Sequence, residues 1–153
     1  DALEKSTAPI AGAATGRDTA RTSAPATPGP AQLYQMGQDQ LRRGSGASAR
    51  SAFGALLAQY PRSDLAADAL YGMAEAYTAE GNATAADSIY NQVAVRFPTS
   101  ERAPTALYKR ATALRLAGKA EPARTLYRQI IQRYPQSEAA VLAEQFVGTP
   151  RRP

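Results

Sequence analysis

From residue 31 onward, apolar residues recur at helical spacing in short blocks separated by Gly and by aromatic-Pro pairs. Leu70, Met73, Ala74 and Tyr77 stand at i, i+3, i+4 and i+7, which puts them on one face of a helix. After a break, Ala86, Ile89, Tyr90 and Val93 do the same. The break is Gly81-Asn82, a helix stop followed by turn chemistry. Pro61, Pro98 and Pro135 end the second block of each unit, because Pro removes a helical N–H and clashes with the preceding turn. Ser63, Ser100 and Ser137 follow two residues later, each trailed by an acid, Asp64, Glu101 or Glu138. That order predicts an N-cap and a first-turn charge suited to the helix dipole. Pro104 and Pro122 fall in or beside a first turn, where little hydrogen bonding is lost.

The blocks return every 37 residues. Shifting by that amount superposes Leu33, Leu70 and Leu107; Tyr34, Tyr71 and Tyr108; Gly44, Gly81 and Gly118; Ala49, Ala86 and Ala123; and Phe53, Tyr90 and Tyr127. A fixed period in the range of about 20 to 50 residues marks a solenoid. The expected fold is all-α: three helix-turn-helix repeats at about 31–63, 64–100 and 101–136, a capping helix at 137–147, and a tail at 148–153. Each repeat reads as helix A, a Gly turn, helix B, then aromatic-Pro-x-Ser. Phe53, Tyr90 and Tyr127, and Tyr60, Phe97 and Tyr134 at the helix ends, are expected in the core.

Residues 1–30 have a different character. They hold 8 Ala, 5 Thr and 4 Pro, with Leu3 and Ile10 the only large aliphatic residues. Such a segment buries too little apolar surface to offset its ordering entropy, so it reads as an arm or linker.

Composition narrows the chemistry. The chain has 153 residues and neither Cys nor His. Disulfides, a lipid-bearing Cys within this stretch, thiolate or imidazole metal sites and Ser-His or Cys-His pairs are excluded, and no cofactor is expected. No apolar run approaches the roughly 18 residues that span a bilayer. Glu75, Glu80, Asp64 and Asp68 are acids at helical spacing, but no Gly-rich phosphate loop or nucleophile elbow accompanies them, so the chain reads as non-enzymatic.

The net charge of +5 hides an uneven layout. Residues 64–101 hold six acids and one base, and residues 102–133 hold eight bases and one acid. Lys109, Lys119, Arg124 and Arg128, with Arg110, Arg115 and Arg133, form a basic third repeat. Three readings follow: contact with an acidic partner segment or a phosphate-rich membrane surface, pairing with acids of the chain itself, or self-association of repeat three with a neighbour's repeat two. Nucleic acid is not indicated, since the bases spread over both helices and repeat two would repel phosphate.

The columns resemble the tetratricopeptide repeat family. Leu70, Met73, Ala74, Tyr77, Ala86, Tyr90, Val93 and Pro98 match its pattern in the second copy. Departures stand at Gln40 and Arg110, where weaker packing is expected. The junctions "YPRSDLAADALYGMAEAYTAEG" and "FPTSERAPTALYKRATALRLAG" resemble most closely the C-terminal repeats of the Tol-Pal-associated YbgF/CpoB family, and second the BamD-type envelope lipoproteins. The resemblance implies a periplasmic, non-enzymatic interaction scaffold that binds a segment of an envelope protein in a concave groove lined by helices A. It also allows an accessory subunit of a larger membrane-associated complex, held by arm and repeats together. The implied wall carries Tyr34, Gln38 and Leu41; Tyr71, Glu75 and Thr78; and Tyr108, Thr112 and Arg115. The three tyrosines read either as a binding ladder or as packing between helices A.

Overall fold

A computed structural model describes residues 26–148, so residues 1–25 of the expected arm and 149–153 of the tail lie outside the described residues. Seven helices and no strands occur among the described residues: α1 (Pro30–Arg42), α2 (Gly46–Gln59), α3 (Ala66–Ala79), α4 (Ala83–Arg96), α5 (Arg102–Leu116), α6 (Ala120–Arg133) and α7 (Glu138–Val147). They form three A/B hairpins and one terminal helix A, an all-α tetratricopeptide solenoid.

The Gly turns end helices A by one repeated device. Gly44, Gly81 and Gly118 have φ of 75°, 75° and 77°, the left-handed region that favours glycine. The N–H of the following residue then reaches back to a helix carbonyl: Ser45 to Gln40 and Lys119 to Leu114 at 2.9 Å, and Asn82 to Tyr77 at 2.9 Å. The junctions differ in detail from the expected caps. Ser137 caps α7 by accepting from the N–H of Ala140 at 3.1 Å. Ser63 and Ser100 instead accept from Leu65 and Arg102, both at 3.1 Å, and the caps of α3 and α5 are Leu65 and Glu101. Those serines stabilise a tight turn one step ahead of the helix, so their hydroxyls are spent before the helix begins.

Helices A touch one another in sequence, α1 with α3, α3 with α5, and α5 with α7, while helices B make no mutual contact. The A layer is therefore the inner, concave one. The core lies between the layers. Leu33, Leu70 and Leu107 from helices A, and Phe53, Tyr90 and Tyr127 from helices B, are all almost fully buried. Tyr60, Phe97 and Tyr134 are only half-buried, at the margin of the core. Each is the residue that closes helix B, where the chain turns outward, so one side of the ring stays open.

Repeats one and two meet around Phe53. A Cβ added to Gly72 would come within 2.6 Å of the ring, and one added to Gly37 would also collide with it, so the ring fills space that two glycines leave between α1 and α3. Repeats two and three meet through charge. Arg102 bonds Asp68, Lys109 lies 3.4 Å from Glu75, and Arg110 grips Asp87 at 2.8 and 3.1 Å while reaching Asn91 at 2.7 Å. Arg110 thus corrects the expectation of weaker packing at that column. It replaces the thioether of Met73 with a forked ion pair across the seam.

Candidate functional site

The concave wall is built from three equivalent aromatic pairs. Tyr34 packs on Phe53 at 5.8 Å between ring centres, Tyr71 on Tyr90 at 5.5 Å, and Tyr108 on Tyr127 at 5.6 Å, with tilts of 50°, 60° and 57°. Such tilted contacts set the slightly positive ring edge against the negative face. The helix-B ring of each pair is buried and the helix-A tyrosine is half-buried. Packing and exposure are therefore both true of the tyrosines: one side is held by the core, the other belongs to the wall.

One turn further along helix A, Gln38, Glu75 and Thr112 each tie a hydroxyl of these pairs. Gln38 donates to the Tyr34 hydroxyl at 2.9 Å, the Tyr90 hydroxyl donates to Glu75, and the hydroxyls of Thr112 and Tyr127 lie 3.2 Å apart. The first repeat differs because Phe53 has no hydroxyl, so Gln38 turns to Tyr34 instead. The Tyr71 phenol is pushed up to about 12, first by burial and then by the nearby negative Glu75. Burial and the hydrogen bond to Glu75 raise Tyr90 as well. Tyr71 and Tyr90 therefore keep their phenol protons throughout the physiological range.

The remaining wall positions diverge. Leu41 is half-buried against the first core, Thr78 is exposed and donates to the Ala74 carbonyl at 3.0 Å, and Arg115 lies over the Phe146 ring at 4.7 Å. Arg102 lies over Tyr71 at 5.0 Å, a cation–π contact that sequence reading did not single out. Gly72 was missed too. Its signal was a glycine inside a helix, which costs about 1 kcal/mol against Ala and so asks for a packing reason.

The basic residues of repeat three do not form one free patch. Lys109 faces Glu75 and Arg124 pairs with Glu121, whereas Lys119 and Arg128 make no ion pair among the described residues. With Arg102 and Arg110 also held by acids of repeat two, much of the charge asymmetry is neutralised within the chain. That lessens the attraction behind the self-association reading. Among the described residues no group of His, Cys, Asp or Glu is poised to hold a metal ion.

Several solved structures share this architecture. The Yersinia enterocolitica type III secretion chaperone SycD, in complex with a peptide of the translocator YopD, is 19% identical, with TM-score 0.61 over 76% of this chain and 88% of that one. The second TPR domain of human RPAP3, in complex with the HSP70 peptide SGPTIEEVD, is 17% identical, with TM-score 0.55 over 80% and 100%. A tetratricopeptide repeat protein from Parabacteroides merdae is 19% identical, with TM-score 0.60 over 76% of this chain. This chain covers only 45% of that protein's length. Identities this low establish the fold alone. No curated protein matches the sequence.

A family profile described as YfiO, outer membrane lipoprotein, matches residues 27–147, from just ahead of α1 to the last residue of α7. The chain belongs to this family. The YfiO match takes in the whole run of repeats, so the aromatic wall and the ionic seam both lie inside it. It corresponds to the BamD-like side of the resemblance in the junctions. No helix among the described residues is long and apolar enough to cross a membrane.

Proposed function

We propose that this YfiO-family chain is a non-enzymatic interaction scaffold on the periplasmic side of the bacterial cell envelope. It holds an extended or helical segment of a partner protein against the concave wall. The observation that carries the reading is the triplet Tyr34, Tyr71 and Tyr108, each fixed by one edge to a buried helix-B ring and half-open on the inner layer. Rigid, amphipathic rings that lose little entropy on contact suit a recognition surface. Gln38, Glu75, Thr112 and Arg115 supply the polar contacts beside them. SycD and RPAP3, both solved with peptides, support use of this fold for peptide capture.

The family match favours the form in which the scaffold is an accessory subunit of a larger membrane-associated complex. The YbgF/CpoB-like adaptor, built on the same wall, rests on the junction motifs. A photo-crosslinking residue placed in cells at Gln38, Glu75 or Thr112 tests the wall, with one at the exposed outer position Gln132 as control. Wall positions are expected to trap one common envelope protein, several-fold less when Tyr71→Ala and Tyr108→Ala are added in a chain of unchanged helicity. Equal trapping from Gln132 would exclude the concave wall. Co-migration of the trapped protein with a large detergent-extracted complex separates the subunit from the free adaptor.

A further inference from the structure

The inner face of each helix A carries a stripe at i, i+4 and i+7: Tyr34, Gln38 and Leu41 on α1, Tyr71, Glu75 and Thr78 on α3, and Tyr108, Thr112 and Arg115 on α5. The stripes begin alike and end differently. Leu41 is half-buried against the first core, and the Thr78 hydroxyl is turned back onto the Ala74 carbonyl. Arg115 ends the third stripe as an exposed cation in the last turn of α5, next to the Gly118 turn.

The other charges beside the tyrosines already have partners. Arg102 bonds Asp68 and lies over the Tyr71 ring. Glu75 accepts from the Tyr90 hydroxyl and faces Lys109 at 3.4 Å. Arg115 makes no ion pair among the described residues. What positions it is the Phe146 ring of α7, 4.7 Å from the guanidinium carbon, and that ring is itself stacked on the buried Tyr127 at 4.7 Å. A ring face restrains a guanidinium without using its N–H groups, whereas an ion pair consumes them. Arg115 is thus held in place with its donors open, in contrast to Arg102 and Lys109.

We propose that Arg115 selects the partner by charge: the segment that crosses the wall carries an Asp or Glu side chain, which Arg115 takes as a forked pair. The inference rests on the reading of the concave wall as a partner site, and names the chemistry of the segment that fits it. Around Tyr71 the wall's own pairs sum to zero, Asp68 with Arg102 and Glu75 with Lys109, so a charge on the segment gains little there. At Arg115 an acid gains a partner and a base is repelled, which favours acidic segments and rejects basic ones. The acid lies at the edge of the wall formed by the Gly turns, because Arg115 stands seven residues beyond Tyr108, about 10 Å along the helix axis.

The probe is a library of short random peptides displayed on phage and selected on the purified full chain. Clones are kept when their binding is lost in a chain carrying Tyr71→Ala and Tyr108→Ala with unchanged helicity. They are then synthesised with amidated C-termini, so that side chains supply the only carboxylates. The kept clones are expected to be enriched in Asp or Glu. Changing that acid to its amide should weaken binding to the parent chain about ten-fold and leave binding to Arg115→Gln unchanged. Arg115→Lys should keep only part of the affinity, since the fork is lost, and Arg115→Glu should prefer the same peptide with Lys in place of the acid. Molar salt should weaken binding to the parent chain more than binding to Arg115→Gln. Wall-dependent clones without an excess of acids, or with affinities indifferent to Arg115→Gln and Arg115→Glu, overturn the proposal and leave the wall standing. A selection in which no clone depends on the two tyrosines overturns the wall reading, and this inference with it.

Discussion

The interface between repeats one and two and that between repeats two and three occupy the same place in the architecture, yet they are held by different physics. At the first, the Phe53 ring fills a slot left by Gly37 and Gly72, with one ion pair, Arg50 to Glu80, at the edge. At the second, Arg102, Lys109 and Arg110 reach three acids of repeat two. A single column shows the substitution. Gly72 makes room for Phe53, Lys109 lies beside the carboxylate that holds the Tyr90 hydroxyl, and Phe146 stacks on Tyr127. One backbone register thus tolerates a void filled by a neighbour's ring, a charge or a stacked ring, provided that the preceding helix-B aromatic is covered. Apolar burial resists salt and pH; the ionic seam does not.

The largest expected effect is at the apolar interface. Phe53→Ala removes a fully buried ring that touches two repeats, and should cost about 3–5 kcal/mol in urea unfolding, enough to uncouple repeat one. A midpoint that stays put would show that repeat two carries the first repeat without the wedge. Next is the seam. Arg110→Met keeps the side-chain bulk of the Met73 column and should cost about 1–2 kcal/mol, because Asp87 and Asn91 each lose a partner at a half-exposed site. The comparison sharpens if molar salt lowers the stability of the parent chain more than that of Arg110→Met, in which Arg102 and Lys109 still pair across the seam.

The smallest effect appears only in alkali. With the folded Tyr71 phenol near 12 and the unfolded one near the usual 10, the folded state holds its proton more tightly. The contribution is fully present below about pH 10 and is lost as pH rises toward 12. Tyr71→Phe should therefore flatten the alkaline fall in melting temperature between those limits. A phenolate titration in which every tyrosine ionises near pH 10 would contradict the sheltering of Tyr71 by burial and Glu75.

Much of the fold was legible because its signals are local and repeated. The 37-residue columns, the helical spacing and the Gly stops specify helices and their order, since left-handed turns and missing N–H groups act within a few residues. The Ser63 and Ser100 caps were misplaced, by two residues and by one, as a hydroxyl that serves a turn and one that serves a helix look alike in sequence. The wall was nameable only by analogy with repeats that line a groove. That Tyr71 is both packed and open depends on Tyr90, 19 residues away in the chain and 5.5 Å away in space.

Periodicity in the chain, then, is enough to set the number of helices, the turns between them and the residues that face inward, because each depends on backbone preferences and spacing along one helix. The fate of the charges was decided only in three dimensions. Six acids in one stretch and eight bases in the next read as a dipole, but stacking the repeats brings Arg102, Lys109 and Arg110 onto Asp68, Glu75 and Asp87. Coulomb energy depends on separation in space, which no spacing along the chain reports.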